Sequence, residues 1–113
     1  MKYLNLFAGL KKRREFERNQ LPFIGSLIDY DIVIEIGYAQ EQGQAFTLKQ
    51  LFLTKIASDA TVRRRLAELT AQGTVRRTTN VNDHRSDCLT LSASSLKLLD
   101  KYGGVMAGIA TSI

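Results

Sequence analysis

At 113 residues the chain is sized for one domain, able to bury roughly two-thirds of the surface its unfolded form exposes. Its 44% hydrophobic and 24% charged residues, with one proline, exclude a disordered tail, a collagen or a mucin-like stalk. Sixteen Lys and Arg against eleven Asp and Glu give a formal charge of +5 and a pI near 9.6, which favours acidic partners. A single cysteine, Cys88, rules out an intramolecular disulfide or a multi-cysteine zinc site in the monomer and fits a reducing compartment. No stretch approaches the roughly 18 apolar residues of a membrane span. Residues 3–10 are short and run into Lys11, Lys12, Arg13 and Arg14 without a small-residue cleavage site, so no signal peptide is expected and the localisation expected is cytoplasmic.

The charge is unevenly placed. Residues 1–22 carry six basic and two acidic groups, residues 23–46 four acidic and no basic ones, and residues 47–92 eight basic and four acidic ones. Two basic blocks flanking an acidic one imply separate surfaces with separate roles. In the first block Leu4, Phe7 and Leu10 recur at helical spacing, which predicts a helix over residues 3–20 that serves packing or dimerisation, with a solvated basic end. Pro22 suits the first turn of a second helix containing Phe23, Ile24, Leu27 and Ile28. The β-branched run 32–36 could be a strand, but no turn signal precedes Gly43, so helix is expected to about Ala39. Asp29, Asp31 and Glu35 have no accompanying histidine and read as a solvated acidic face.

The segment from Thr47 carries denser signals. Thr47, with Gln50 three residues on, has the form of a capping box and predicts a helix over residues 48–57, its stripe made of Leu48, Leu51 and Phe52. Ser58 and Asp59 offer caps for a further helix over residues 59–72, stopped by Gly73, with Val62, Leu66 and Leu69 facing the core. Arg64 falls opposite that stripe, and Arg63 and Arg65 fall on its flanks, so three arginines fan around a helix whose first turn carries the small Ala60 and Thr61. Residues 74–79 and 87–92 are β-prone around a turn-rich centre, a hairpin with a basic tip. Helix, turn, helix and hairpin in this order make a mainly α fold with a two-stranded β wing, a winged helix-turn-helix.

The residues Leu48 to Leu51, Thr61, Val62, Arg64, Arg65, Leu66, Glu68, Leu69, Gly73, Val75 to Arg77, Asp83 to Ser86 and Leu89 to Ser92 make residues 30–102 resemble the core of MarR-type transcriptional regulators. The resemblance implies a homodimer on palindromic operator DNA, with Thr61, Arg64 and Arg65 on the recognition helix and Arg85 in the wing. Where that family often closes the first of these helices with an apolar residue and a glycine, this chain has Lys55 and Ile56, so the turn should be built differently. The family's two long C-terminal helices have a shorter counterpart here: residues 92–102, a break at Gly103 and Gly104, and an apolar tail over residues 103–113 that folds back or meets a second chain.

The expectation is therefore one domain over residues 1–113, with an N-terminal helix within residues 1–22, a winged core at 23–102 and the tail. It binds double-stranded DNA through Thr61, Arg63, Arg64, Arg65, Arg76, Arg77 and Arg85. Arginines on an exposed helix can pair bidentately with guanine edges or with phosphates, and each base contact is worth roughly 1–3 kcal/mol. A different class of function, a winged-helix module gripping an acidic protein, would use the same basic face. Asp83 could orient Arg85 or cap its own loop, His84 lacks metal-ligand partners, and Cys88 suits a small buried strand position. No cofactor, no metal and no membrane association is expected. With no phosphate loop, nucleophile pair or ligand cluster, enzyme chemistry has no support, and neither has a small-molecule effector.

Overall fold

The computed structural model describes residues 2–79 and 87–113. Its elements run α1 (Leu6–Gln20), α2 (Leu27–Glu41), α3 (Leu48–Leu53), α4 (Asp59–Ala71), β1 (Val75–Thr79), β2 (Asp87–Leu91) and α5 (Ala93–Ser112). The strands pair antiparallel from Val75 opposite Leu91 to Thr79 opposite Asp87, and an isolated bridge from Thr47 to Cys88 ties the start of α3 to the hairpin. This is the winged helix-turn-helix order, mainly α with a two-stranded sheet.

Helix starts are written in side-chain oxygens. Ser26, Thr47, Ser58 and Ser92 each accept a hydrogen bond from the backbone N–H three residues on, and Thr47 with Gln50 forms the complete capping box. α4 ends as expected: Gly73 has φ +78, and the Thr74 N–H bonds to the Leu69 carbonyl at 2.9 Å, which closes the helix and aims the chain into β1. The core gathers Ile32, Val33 and Ile36 of α2, Leu51 of α3, Val62, Leu66 and Leu69 of α4, and Val75, Leu89 and Leu91 of the hairpin. The β-branched run 32–36 is thus helical, because its i, i+1, i+4 members all reach this core.

Four local expectations are corrected. The second helix starts at Leu27, not at Pro22: Leu21 and Phe23 insert into the core, an Ile24 N–H to Leu21 carbonyl bond makes a turn, and Ser26 caps the helix. α3 stops at Leu53 rather than at residue 57, because Lys55 adopts φ 57, the left-handed conformation a glycine would take at no cost. Cys88 is half-buried rather than buried. Finally, Gly103 and Gly104 do not break the last helix. Each glycine costs only about 1 kcal/mol relative to Ala, and residues on both sides of the pair are held against α1, so α5 continues to Ser112.

α5 and α1 run antiparallel as a two-helix arm. The Asn5 side chain donates to the Ser112 carbonyl at 3.0 Å, Gly9 lies against Ile109, and Phe16 stacks on Tyr102 with ring centroids 5.6 Å apart. A Cβ built on Gly9 would sit 2.7 Å from Ile109 Cγ2, so glycine there permits the close approach. The arm gives the molecule extents of 52 × 26 × 24 Å. At its root Glu17 is buried and ringed by donors. Tyr102 donates its hydroxyl to Oε2, Arg13 Nε reaches the same oxygen at 3.1 Å and the Tyr102 hydroxyl at 2.6 Å, and Arg14 Nη1 reaches Oε1 at 2.6 Å. Half of the basic run 11–14 is therefore structural.

Candidate nucleic-acid interface

α4 presents its arginines from a helix whose opposite face is fixed in the core. With Val62, Leu66 and Leu69 buried, residues at 100° per step place Arg64 outward, where it is exposed and makes no hydrogen bond or ion pair within the described residues. Arg63 is also exposed, and its guanidinium lies over the Phe52 ring of α3 at 4.7 Å from the centroid. That cation–π contact restricts a flexible side chain without consuming its hydrogen-bond donors. Thr61 is half-buried at the first turn, where its hydroxyl accepts a bond from the cap Ser58 at 3.0 Å.

Arg65 has a different role from its neighbours. Its Nε and Nη2 bond to Oδ1 and Oδ2 of Asp29, each at 2.6 Å, in a fork that joins α4 to the first turn of α2. The pair holds the guanidinium charged beyond its ordinary range, through the hydrogen bonds to Asp29. Asp29 is 2% exposed, so its reading as part of a solvated face is corrected: α2 turns Asp31 and Glu35 away from the core but carries Asp29 under α4. Sequence reasoning missed this partner, although Ser26 three residues before Asp29 is itself a helix-start signal that places Asp29 in the first turn.

The hairpin supplies two further arginines. Arg76, opposite Thr90, is exposed on the face turned away from the buried Val75, Leu89 and Leu91. Arg77 bonds through Nε and Nη2 to Asp87 across the strand pair, so its charge is partly answered at the base of the wing. Arg85, Asp83 and His84, expected at the wing tip, lie outside the described residues. Among the described residues, the exposed surface of α4 and β1 thus offers Arg63, Arg64 and Arg76 with no hydrogen-bond partner, Arg77 shared with Asp87, and Arg65 committed inward.

A cleft of about 580 Å³ opens between α1 and the start of α2, lined by Leu10, Arg13, Glu17, Ile24, Leu27 and Tyr30. A Cβ built on its Gly25 would sit 3.4 Å from Asp29 Oδ2 and 3.9 Å from Arg65 Nη2. No helix among the described residues is long and apolar enough to cross a membrane.

This architecture is the MarR-type winged-helix fold, a five-helix chain with a two-stranded wing. The match covers 99% of this chain and 82% of MepR from S. aureus, in its complex with DNA, at a TM-score of 0.75 and 14% identity. A MarR mutant from E. coli complexed with operator DNA is similar over 90% of this chain and 70% of that one, with TM-score 0.62 and 20% identity. The transcriptional regulator Tm0710 from Thermotoga maritima aligns over 94% and 70%, with TM-score 0.71 and 18% identity. No protein-family model matches the chain, and no curated protein matches it in sequence.

Proposed function

We propose that this protein binds double-stranded DNA as a homodimer and regulates transcription, a binding protein rather than an enzyme. The observation that carries the reading is the row of exposed guanidinium groups on α4 and β1, Arg63, Arg64 and Arg76, unpaired among the described residues, on the elements that the winged-helix fold presents to a duplex. In this reading α4 enters the major groove, where Arg64 reads base edges, Thr61 and Arg63 lie along its entry, and Arg76, Arg77 and Arg85 meet the backbone or minor groove. Arg65 contributes by fixing α4 through Asp29. DNA is the partner in two of the similar structures, which supports DNA as the partner here. A cytoplasmic location goes with this reading.

The dimer would form on the arm. Leu4, Phe7, Leu10, Met106 and Ile113 are all exposed there, Leu4 at 90%, and so dense an apolar end is a surface that a second copy covers. Selection from a random duplex pool, followed by titration at several salt concentrations, tests the proposal. The expected result is an enriched palindromic site bound with steep salt dependence. Failure to bind any duplex at low salt, together with salt-sensitive capture of an acidic protein, would instead favour a protein-interaction module.

A further inference from the structure

Outside both surfaces already described, α2 carries an unpartnered seam. Leu27, Asp31, Ile34, Tyr38 and Glu41 recur at i, i+4, i+7, i+11 and i+14 and fall within about 40° of one line running about 21 Å along the helix. Leu27 is 80% exposed, Ile34 47% and Tyr38 62%, while the opposite side of the same helix buries Ile32, Val33, Ile36 and Ala39. Glu35 flanks the seam, and residues 23–46 contain no Lys or Arg at all. The surface is thus apolar and acidic, and its carboxylates Asp31, Glu35 and Glu41 make no ion pair among the described residues.

The chain itself holds the complementary face. On α1, Phe7, Lys11, Arg14 and Arg18 follow the same i, i+4, i+7, i+11 spacing, with Leu4 preceding and Glu15 on the flank. Lys11, Lys12 and Arg18 are exposed and have no ion pair among the described residues, whereas Arg14 is held by Glu17. Within one chain α1 is occupied on its inner side by α5, and no hydrogen bond or ion pair among the described residues joins its lysines to α2. An apolar start followed by free cations matches an apolar seam carrying free carboxylates.

We infer that the α2 seam is an interface for a second copy of this chain, filled by the outward face of that copy's α1. The inference rests on the homodimer reading and extends its interface from the arm onto the winged core. Either direction of helix pairing sets Lys11 beside Asp31 or Glu35 and seats Phe7 on Leu27 or Tyr38. A two-fold dimer makes the contact twice.

Charge exchange tests it. The dissociation constant of the dimer is measured by sedimentation for the full chain, for Asp31→Lys with Glu35→Lys, for Lys11→Glu with Arg18→Glu, and for all four changes together. Thermal melts by circular dichroism verify that each variant folds. Each double variant is expected to dissociate about tenfold more readily, and the fourfold variant to return to within about threefold of the original. Double variants that dimerise unchanged, or a fourfold variant no tighter than they are, would overturn the inference. Met106→Asp separates the two readings: if it dissociates the dimer while the charge reversals do not, the arm stands and the α2 contact falls. A chain that is monomeric at every concentration removes both.

Discussion

Asp29 of α2 and Arg65 of α4 grip each other through two parallel 2.6 Å bonds, and this fork fixes the angle at which the arginine-bearing helix leaves the core. The carboxylate is buried and the guanidinium side chain 25% exposed. Removing the cation strands a buried anion, so Arg65→Met is expected to lower the midpoint of chemical denaturation, by less than for a fully buried pair because water still reaches the arginine. Replacing both partners, as Asp29→Leu with Arg65→Met, should recover part of that loss while DNA binding stays weakened, since the register of α4 is no longer set. A double variant that binds duplex as well as the original would remove the positioning role.

The open arginines differ in what they should read. Arg64→Ala is expected to reduce affinity for a selected site by about 1–3 kcal/mol and to relax preference at one base position. Arg76→Ala should weaken all duplexes alike and lower the salt slope by about one. Phe52→Leu removes the ring under Arg63 without touching its charge. A modest loss there, smaller than that of Arg63→Ala, would measure the value of pre-positioning. Anisotropy titrations on specific and scrambled duplexes distinguish the three patterns.

The Glu17 cluster makes stability depend on pH at both ends. Burial alone would raise the Glu17 carboxyl, but hydrogen bonds from Tyr102, Arg14 and Arg13 outweigh it and hold the group below the ordinary carboxylate range. Its contribution is complete above the unfolded value near 4.5 and is lost as pH falls through the lower folded value. Tyr102 moves the other way: burial and its bond to Glu17 raise the phenol above its ordinary 10.0, so that contribution is present below pH 10.0 and fades as pH rises toward the folded value. Denaturation across pH should show an acid limb flattened in Glu17→Gln and an alkaline limb flattened in Tyr102→Phe. Unchanged limbs would mean that other groups set both.

Glycines in the arm should respond in opposite directions. A Cβ at Gly103, Gly104 or Gly108 meets nothing within 4 Å, so alanine there should add up to about 1 kcal/mol each, near 4 °C in Tm. Gly9→Ala should destabilise, because its methyl meets Ile109, and Ile109→Ala should relieve that clash. If Gly9→Ala is also stabilising, the helices of the arm are not packed at this point.

Much of this fold is legible in local chemistry. Caps at Thr47 and Ser58, the Gly73 stop, the Val62, Leu66, Leu69 stripe and the hairpin boundaries all depend on residues a few positions apart, and each is where the spacing put it. Pairings across long separations are not legible in that way. Nothing near Asp29 announces Arg65, 36 residues away, and nothing near Glu17 announces Tyr102, 85 residues away. Charged residues read by neighbourhood default to solvent, which misplaces Asp29 and hides the structural role of half of the 11–14 run. The glycine pair misleads for a related reason: its local helix cost is real but smaller than the packing of α5 on α1.

Only Ser92 separates β2 from α5, and its N–H is bonded to the Thr74 carbonyl at 3.0 Å while Leu91 N–H is bonded to Gln40 at 2.6 Å. Strand and helix are therefore one lever, pivoted where it crosses the core, with the wing on its short side and the arm on its long side. A 20-residue helix spans about 30 Å, so a tilt of α5 by about 10° moves the arm tip by about 5 Å. Conversely, whatever grips the arm tip gears the wing down to a fine adjustment, and in the proposed dimer on DNA the spacing of the two wings would be set at the far end of the molecule.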